Sequence, residues 1–427
     1  MTDASQPTRI EVAERLNQRC FCVTLDRERL AAQLRTALGV ADVPELFGPA
    51  HQHLLTDTPV FVLRSDVEAM QRVVRAIDAV AGLPDYREAV LSWAPEIARF
   101  DPGPVGAFMG YDFHLGDQGP RLIEVNTNAG GAFINALLAN AQRACCEETS
   151  QALHSAEELE RFEAAVVQMF EAEWCRQRGS GRPQRVAIVD DEPTSQHMYP
   201  EFRLAQRLLE THGMEARIVA PSELTFSGGE FTAHGTRIDL VYNRLVDFSL
   251  SAPSHRALRE AYLAQAVVVT PNPQVHARFA DKRNLTLLCH PTILRGLGAD
   301  DTTIRTLAAA IPRTVRVTAE NSGALWASRR DWFFKPAAAH GSKGVYRGSK
   351  ITRGAFASIV DGGFIAQAYV QPSERLVRVD AETVPMKVDL RLYTYEGRNL
   401  LTAARVYRGQ ATNLRTVGGG FAPVFQV

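Results

Sequence analysis

Cysteine is scarce: six residues in 427, at Cys20, Cys22, Cys145, Cys146, Cys175 and Cys289. They form no two spaced C-x-x-C pairs, which argues against a zinc site. So few thiols, behind a polar start (Met1 to Arg9) with no apolar leader core, set the expectation of a reduced, cytoplasmic protein. No apolar run is long enough to cross a bilayer, so no membrane partner is expected. An excess of one charge is missing too. Lys and Arg number 47 against 48 Asp and Glu, a net of −1 that leaves no basic surplus for nucleic acid. The chain shows no internal repeat and no low-complexity tract.

What is present is ordinary globular material: 45 % hydrophobic and 22 % charged residues, enough chain for two or three domains with a sizeable core. Residues 26–38 and 65–82 read as helices. In the second, Val67, Met70, Val73, Val74, Ile77 and Val80 recur at helical spacing. Residues 105–126 read as a β-hairpin turning at Gly116-Asp-Gln-Gly119, followed by a small-residue helix at 130–143 and a long amphipathic helix at 155–178. The middle alternates strands (185–190, 216–220, 238–242, 266–270) with a helix near 200–213, the pattern of a parallel sheet covered on both faces. From about 311 the chain turns β-rich, with strands at 332–336, 344–348 and 364–370. A long hairpin spans 385–408, turning at Glu396-Gly-Arg-Asn399.

Chemistry-bearing residues cluster toward both ends. Asp112 lies on one strand of the first hairpin, with Glu124 and Asn126 on the next. Glu124 and Asn126 are two apart and share a face. Two carboxylates and an amide oxygen suit Mg2+, which takes few protein oxygens and completes its shell with water and phosphate. The competing reading is a solvated hairpin with polar alternation. Lys335 ends the apolar strand Trp332-Phe-Phe, where an ammonium needs an anionic partner. After it comes His340-Gly341-Ser342-Lys343-Gly344-Val345, small enough for backbone N–H groups to cradle phosphates. It is not a Walker loop, and taken alone it is a plain glycine turn. Residues 364–370 form a strand able to offer backbone groups to an adenine edge. Asp389 and Arg391 share a face of the last hairpin and Arg405 lies on its partner strand. Arginines suit spread negative charge; the plain alternative is a cross-strand ion pair.

In this order the pieces resemble the ATP-grasp superfamily, glutathione synthetase-like members above all, with the metal-binding end moved to the front as in the circularly permuted glutathionylspermidine synthase-like group. The resemblance covers most of 105–145 and 185–425. It implies an α/β fold: an ATP-grasp core assembled from both chain ends plus a Rossmann-like domain. It divides the chain into a helical segment of unknown role (1–100), the permuted metal hairpin and linking helix (101–180), a pre-ATP-grasp domain (181–310) and a lysine, glycine-loop and arginine-hairpin unit (311–427). It implies ATP and Mg2+ as cofactors, with Asp112, Glu124 and Asn126 on the metal. Lys282, Lys335, His340, Gly341, Ser342, Gly344, Gln367, Tyr369, Val370 and Asp389 would bind ATP. Arg405 and Arg391 would act in catalysis, and Asn128, Asn413, Gly418 and Gly419 would lie toward the substrate. The implied activity joins a small-molecule carboxylate to an amine through an acylphosphate. A homodimer is compatible with the resemblance. A kinase acting on a hydroxyl, or a non-catalytic nucleotide-binding protein, remain alternatives.

Overall fold

The computed structural model describes residues 9–21, 23–39, 54–116, 118–143, 156–337, 344–379 and 382–427. His340, Gly341, Ser342 and Lys343 lie outside the described residues, as do Cys22, Cys145 and Cys146.

The central element is a seven-stranded sheet made from both ends of the chain. Met109–Gly116 and Gly119–Asn126 pair as the acidic hairpin. Glu382–Tyr395 and Arg398–Tyr407 pair as the arginine hairpin. Its turn is tighter than the four residues expected: Glu396 and Gly397 both take positive φ (46° and 70°), as a two-residue hairpin turn requires. The two hairpins join edge to edge, Leu390 opposite Phe113 and Arg391 opposite Asp112. Apolar burial holds the join, with Met109, Tyr111, Leu122, Leu390, Leu392 and Ala404 in one core cluster, each at most 4 % exposed.

The first hundred residues are not merely helical. Val60–Val62 adds a parallel strand beside Gly420–Gln426. Asn17, in the helix Arg9–Arg19, covers this strand's open edge: its amide donates to Phe61 O at 2.7 Å and its carbonyl accepts from Phe61 N at 3.0 Å. The helix Arg64–Ala81 buries the face expected of it, Val67, Met70, Val73, Val74, Ile77 and Val80 all being 3 % exposed or less.

The middle of the chain forms a parallel sheet of four strands, ordered Val268–Thr270, Leu240–Asn243, Arg185–Val189, Glu215–Val219. A four-stranded antiparallel sheet carries Lys335 on Trp332–Pro336, between Phe364–Ala368 and the short Tyr346–Arg347. The lysine strand and the arginine hairpin, grouped together in the expected unit 311–427, thus lie in different sheets. Among the described residues no helix is long and apolar enough to cross a membrane, and no cysteine is in a disulfide.

Candidate functional site

Cross-strand register brings the acids together. Asp112 stands opposite Glu124, and Gly110 opposite Asn126. The Asn126 amide donates to Asp112 Oδ2 at 3.1 Å and to Glu124 Oε1 at 3.4 Å, so the three residues form one cluster.

Register on the other side supplies the arginines. Arg391 donates Nε to Asp112 Oδ1 at 2.6 Å and Nη2 to Oδ2 at 2.7 Å. Arg405 donates Nη2 to the same Oδ2 at 2.7 Å and Nε to Asp389 Oδ1 at 2.6 Å. Thr412 donates its hydroxyl to the other Asp389 oxygen. Burial by itself would raise the pKa of Asp112. The guanidinium groups of Arg391 and Arg405 outweigh it and hold the carboxyl at about 2. Burial lowers the pKa of Arg405, but Asp112 and Asp389 outweigh it and raise the group well above the ordinary arginine value.

Lys335 comes from the neighbouring sheet and is 4 % exposed. Its ammonium donates to Ile123 O at 2.8 Å and Gln367 Oε1 at 2.7 Å, both neutral oxygens. Burial lowers its pKa to about 8, opposed by Glu124 and reinforced by Lys282. Lys282 Nζ stands 3.9 Å from Glu124 Oε2. These groups line one cleft, about 940 Å3 of space when the open solvent at its mouth is included, alongside Tyr369, Val370 and Asp389. His114 Nδ1 bonds Val370 O at 3.0 Å, tying the acidic hairpin to the segment after Phe364–Ala368. The Gln367 side chain is turned toward Lys335, and its amide nitrogen has no partner among the described residues.

The cleft brings together Asp112, Glu124, Asn126, Lys282, Lys335, Gln367, Tyr369, Val370, Asp389 and Arg405. Arg391, expected beside Arg405 as a catalytic group, does not line it; the side chain is committed to Asp112. Gly344 does not line it either, though Val345 does. The four residues expected toward the substrate also lie off the lining. Asn128 donates to Leu245 O at 3.2 Å, and Asn413 is exposed and accepts from Arg415 N at 2.8 Å. Gly418 and Gly419 have a packing reason to be glycine: a Cβ would sit 2.5 Å from Val379 Cγ2 at the first and 2.4 Å from Val406 O at the second.

Sequence reasoning missed Arg347 and Lys387, which also line the cleft. The Arg347 guanidinium lies 4.2 Å over the Tyr369 ring. Lys387 had a readable signal: it is two residues before Asp389 on one strand, hence on its face. Cations so outnumber acids that the cleft suits a polyanion.

For a metal, the donor set is lean. Among the described residues no three His, Cys, Asp or Glu side chains gather to hold an ion. Glu124 keeps oxygens toward the cleft and Asn126 an amide, while both Asp112 oxygens are engaged by arginine. That set fits Mg2+, which relies on phosphate and water for most of its shell, and does not fit a cation needing an all-protein cage.

No protein-family model and no curated protein matches the sequence. Among solved structures, a glutathione synthetase-like effector of Globodera pallida in its apo form is 12 % identical; the match covers 94 % of this chain and 98 % of that one, with a TM-score of 0.56. A protein described as a gamma-glutamylcysteine synthetase of Methylobacillus flagellatus is 10 % identical over 84 % of this chain and 87 % of its own, with a TM-score of 0.45. The ATP-grasp ligase PsnB, complexed with minimal precursor, Mg and ADP, is 13 % identical over 56 % of this chain and 88 % of its own, with a TM-score of 0.29. At these scores the first pairing alone speaks to the fold, and it spans nearly the whole of both chains. The chain shares the fold of that glutathione synthetase-like effector.

Proposed function

We propose that this chain is an ATP- and Mg2+-dependent carboxylate–amine ligase that forms an amide or peptide bond through an acylphosphate. One observation carries the reading: the acidic cluster of Asp112, Glu124 and Asn126 shares a cleft with Lys282, Lys335 and Arg405, although these residues come from opposite ends of the chain. Metal ligands or phosphate-binding cations alone make half a site. On this reading Asp112, Glu124 and Asn126 hold the ion, Asp112 sharing Oδ2 between the ion and Arg391 as Arg405 turns to the nucleotide. Magnesium bound there would polarise the phosphates and offset their charge. Lys282 and Lys335 bind phosphate oxygens inward of the one transferred, Arg405 stabilises the transferring phosphoryl group, and Arg391 positions Asp112. Segment 367–370 holds the adenine.

The reaction balances in two steps. A substrate carboxylate oxygen attacks the γ-phosphorus and ADP leaves. An amine then attacks the acyl carbon, inorganic phosphate leaves, and the amine's proton is lost. We read the chain order, metal hairpin before lysine strand, as a circular permutation of the ordinary ATP-grasp arrangement, and the protein as a cytoplasmic enzyme of small-molecule substrates.

The test is an ADP-release screen with Mg-ATP over amino acids, small peptides and polyamines, each hit followed by mass spectrometry of the product. An amide supports the ligase. A stable phosphoester makes the protein a kinase on the same core, and nucleotide binding without turnover of any pair makes it a binding module.

A further inference from the structure

One end of the antiparallel sheet that carries Lys335 gathers positive charge without counter-ions. Register places Trp332 opposite Ala368 and Phe333 opposite Arg347. At the same end Ala368 N donates to Arg313 O at 2.7 Å, and Tyr369 N to Asp331 O at 2.8 Å. Gly348 packs against Arg329 O with no room for a Cβ, and Arg329 and Arg353 share the Trp326 ring. Arg313, Arg329, Arg330, Arg347, Lys350 and Arg353 thus meet on one face. Residues 313–361 hold nine Lys and Arg against three Asp and Glu, a local net of +6 in a chain of net −1, so the remainder carries −7.

The guanidinium groups are held in place but not neutralised. Arg329 lies 4.4 Å and Arg353 5.2 Å from the Trp326 ring centroid, Arg347 4.2 Å from Tyr369 and Arg313 5.5 Å from Trp332. Among the described residues none of the six cations comes within 4.0 Å of a carboxylate oxygen, not even of Asp331 in the same turn. Arg329 donates Nη1 to Trp326 O at 3.2 Å, and Arg347 keeps a buried Nε with no partner among the described residues. Arg313, Arg330, Lys350 and Arg353 are exposed. A guanidinium lying on an aromatic face is fixed in orientation, while its in-plane N–H groups stay free for a carboxylate or phosphate. Like charges gathered in this way repel one another, and an anionic partner relieves that repulsion.

We propose that this end of the sheet docks an acidic segment of a partner protein, whose Asp and Glu carboxylates pair with Arg329, Arg330, Lys350 and Arg353. Gly323 and Gly354 would each carry a Cβ into open space, so the face is open and suits an extended segment laid across it. The stacked guanidinium groups take up ring faces that unpaired bases would otherwise use, which removes the stacking that single-stranded RNA relies on. The positive field is also local. Screening limits it to about 10 Å, and the −7 on the rest of the chain repels a long polyanion more than a short acidic segment. The docking surface does not depend on the ligase reading of the cleft.

Fluorescence anisotropy tests this with the full chain and a labelled octaglutamate peptide, alongside labelled octauridylate and vesicles of phosphatidylcholine with phosphatidylserine. Octaglutamate should bind saturably at about 50 mM salt and lose at least about tenfold in affinity by about 300 mM. Arg329→Glu combined with Arg353→Glu should weaken it at least about tenfold, because two charge pairs are lost and two repulsions gained, with the affinity for a non-hydrolysable ATP analogue and Mg2+ unchanged. Arg330→Glu combined with Lys350→Glu, both exposed and outside the ring stacks, should act in the same direction and decides alone if the first pair fails to fold. Absence of octaglutamate binding, undiminished binding in the folded variants, or tighter binding of octauridylate or of the vesicles overturns the proposal. A protein that binds octaglutamate but no nucleotide refutes the ligase reading and leaves the docking surface standing.

Discussion

Replacing Lys335 by methionine keeps most of the side chain's bulk and removes one buried charge. The unliganded protein holds that charge reluctantly. The side chain is 4 % exposed, its ammonium is bonded among the described residues only to Ile123 O and Gln367 Oε1, and burial lowers its pKa from 10.5 to about 8. A polyphosphate supplies the missing anion and restores the ordinary preference for the charged form. Nucleotide binding should therefore take up about 0.5 proton at pH 8 and about 0.9 at pH 9, with little uptake at pH 6.5. Affinity should fall as pH rises above about 8, because the competent, protonated form becomes rarer. The window for folding runs the other way. Between about 8 and 10.5 the unfolded chain binds a proton that the folded chain has lost, so this group's contribution to stability rises with pH. Calorimetry with a non-hydrolysable ATP analogue, in two buffers of different ionisation enthalpy, reads the uptake directly. Lys335→Met should abolish it and weaken binding by about 1.5–3 kcal/mol, roughly ten- to 150-fold. Wild-type binding with no proton uptake between pH 7 and 9, together with unchanged affinity in the variant, would refute the assignment of Lys335 to phosphate.

Three further outcomes are expected. Glu124→Gln should keep its circular dichroism spectrum and lose the Mg2+ enhancement of nucleotide affinity, since an amide is a poorer ligand; an unchanged Mg2+ dependence would remove Glu124 from the metal. Asp112→Asn should cost about 3–5 kcal/mol in denaturant unfolding, because it leaves two buried guanidinium groups short of an anion. In the wild type the pH-linked part of that contribution, arising from a carboxyl held at about 2, is complete above pH 4 and lost as pH falls through 2. Gly419→Ala places a Cβ 2.4 Å from Val406 O and should destabilise by about 1–3 kcal/mol, whereas a substrate role without a packing role predicts lost turnover at unchanged Tm.

Local sequence determined the elements whose own pattern repeats. The 3.6-residue spacing of Val67 through Val80 is a helix face wherever it is placed, and it is buried as such. The period of two makes Glu124 and Asn126 share a face, and they do share one cluster. The Asp26 side chain accepts from Arg29 N, which starts the helix Arg27–Leu38 where the pattern does. The chemical inventory was legible too, because metal ligands and phosphate cations are recognisable by type.

Beyond the joining of the two chain ends that the resemblance implied, partners distant in sequence were not legible, since propensity and spacing carry no information about which strand edge meets which. Val60–Val62 is three residues long, too short to signal a strand, and is one because Gly420–Gln426 offers it an edge. That Arg391 faces Asp112 and not the cleft follows from the register between hairpins some 280 residues apart, 391 less 112 being 279. The lowered pKa of Lys335 likewise belongs to no strand of its own: it arises from burial where two sheets meet. Sequence alone determined which groups this protein possesses and the periodicities that sort them onto faces. Tertiary structure alone decided which charges neutralise one another and which remain for a ligand, because Coulomb interactions and desolvation depend on distance in space, which only the packed chain defines.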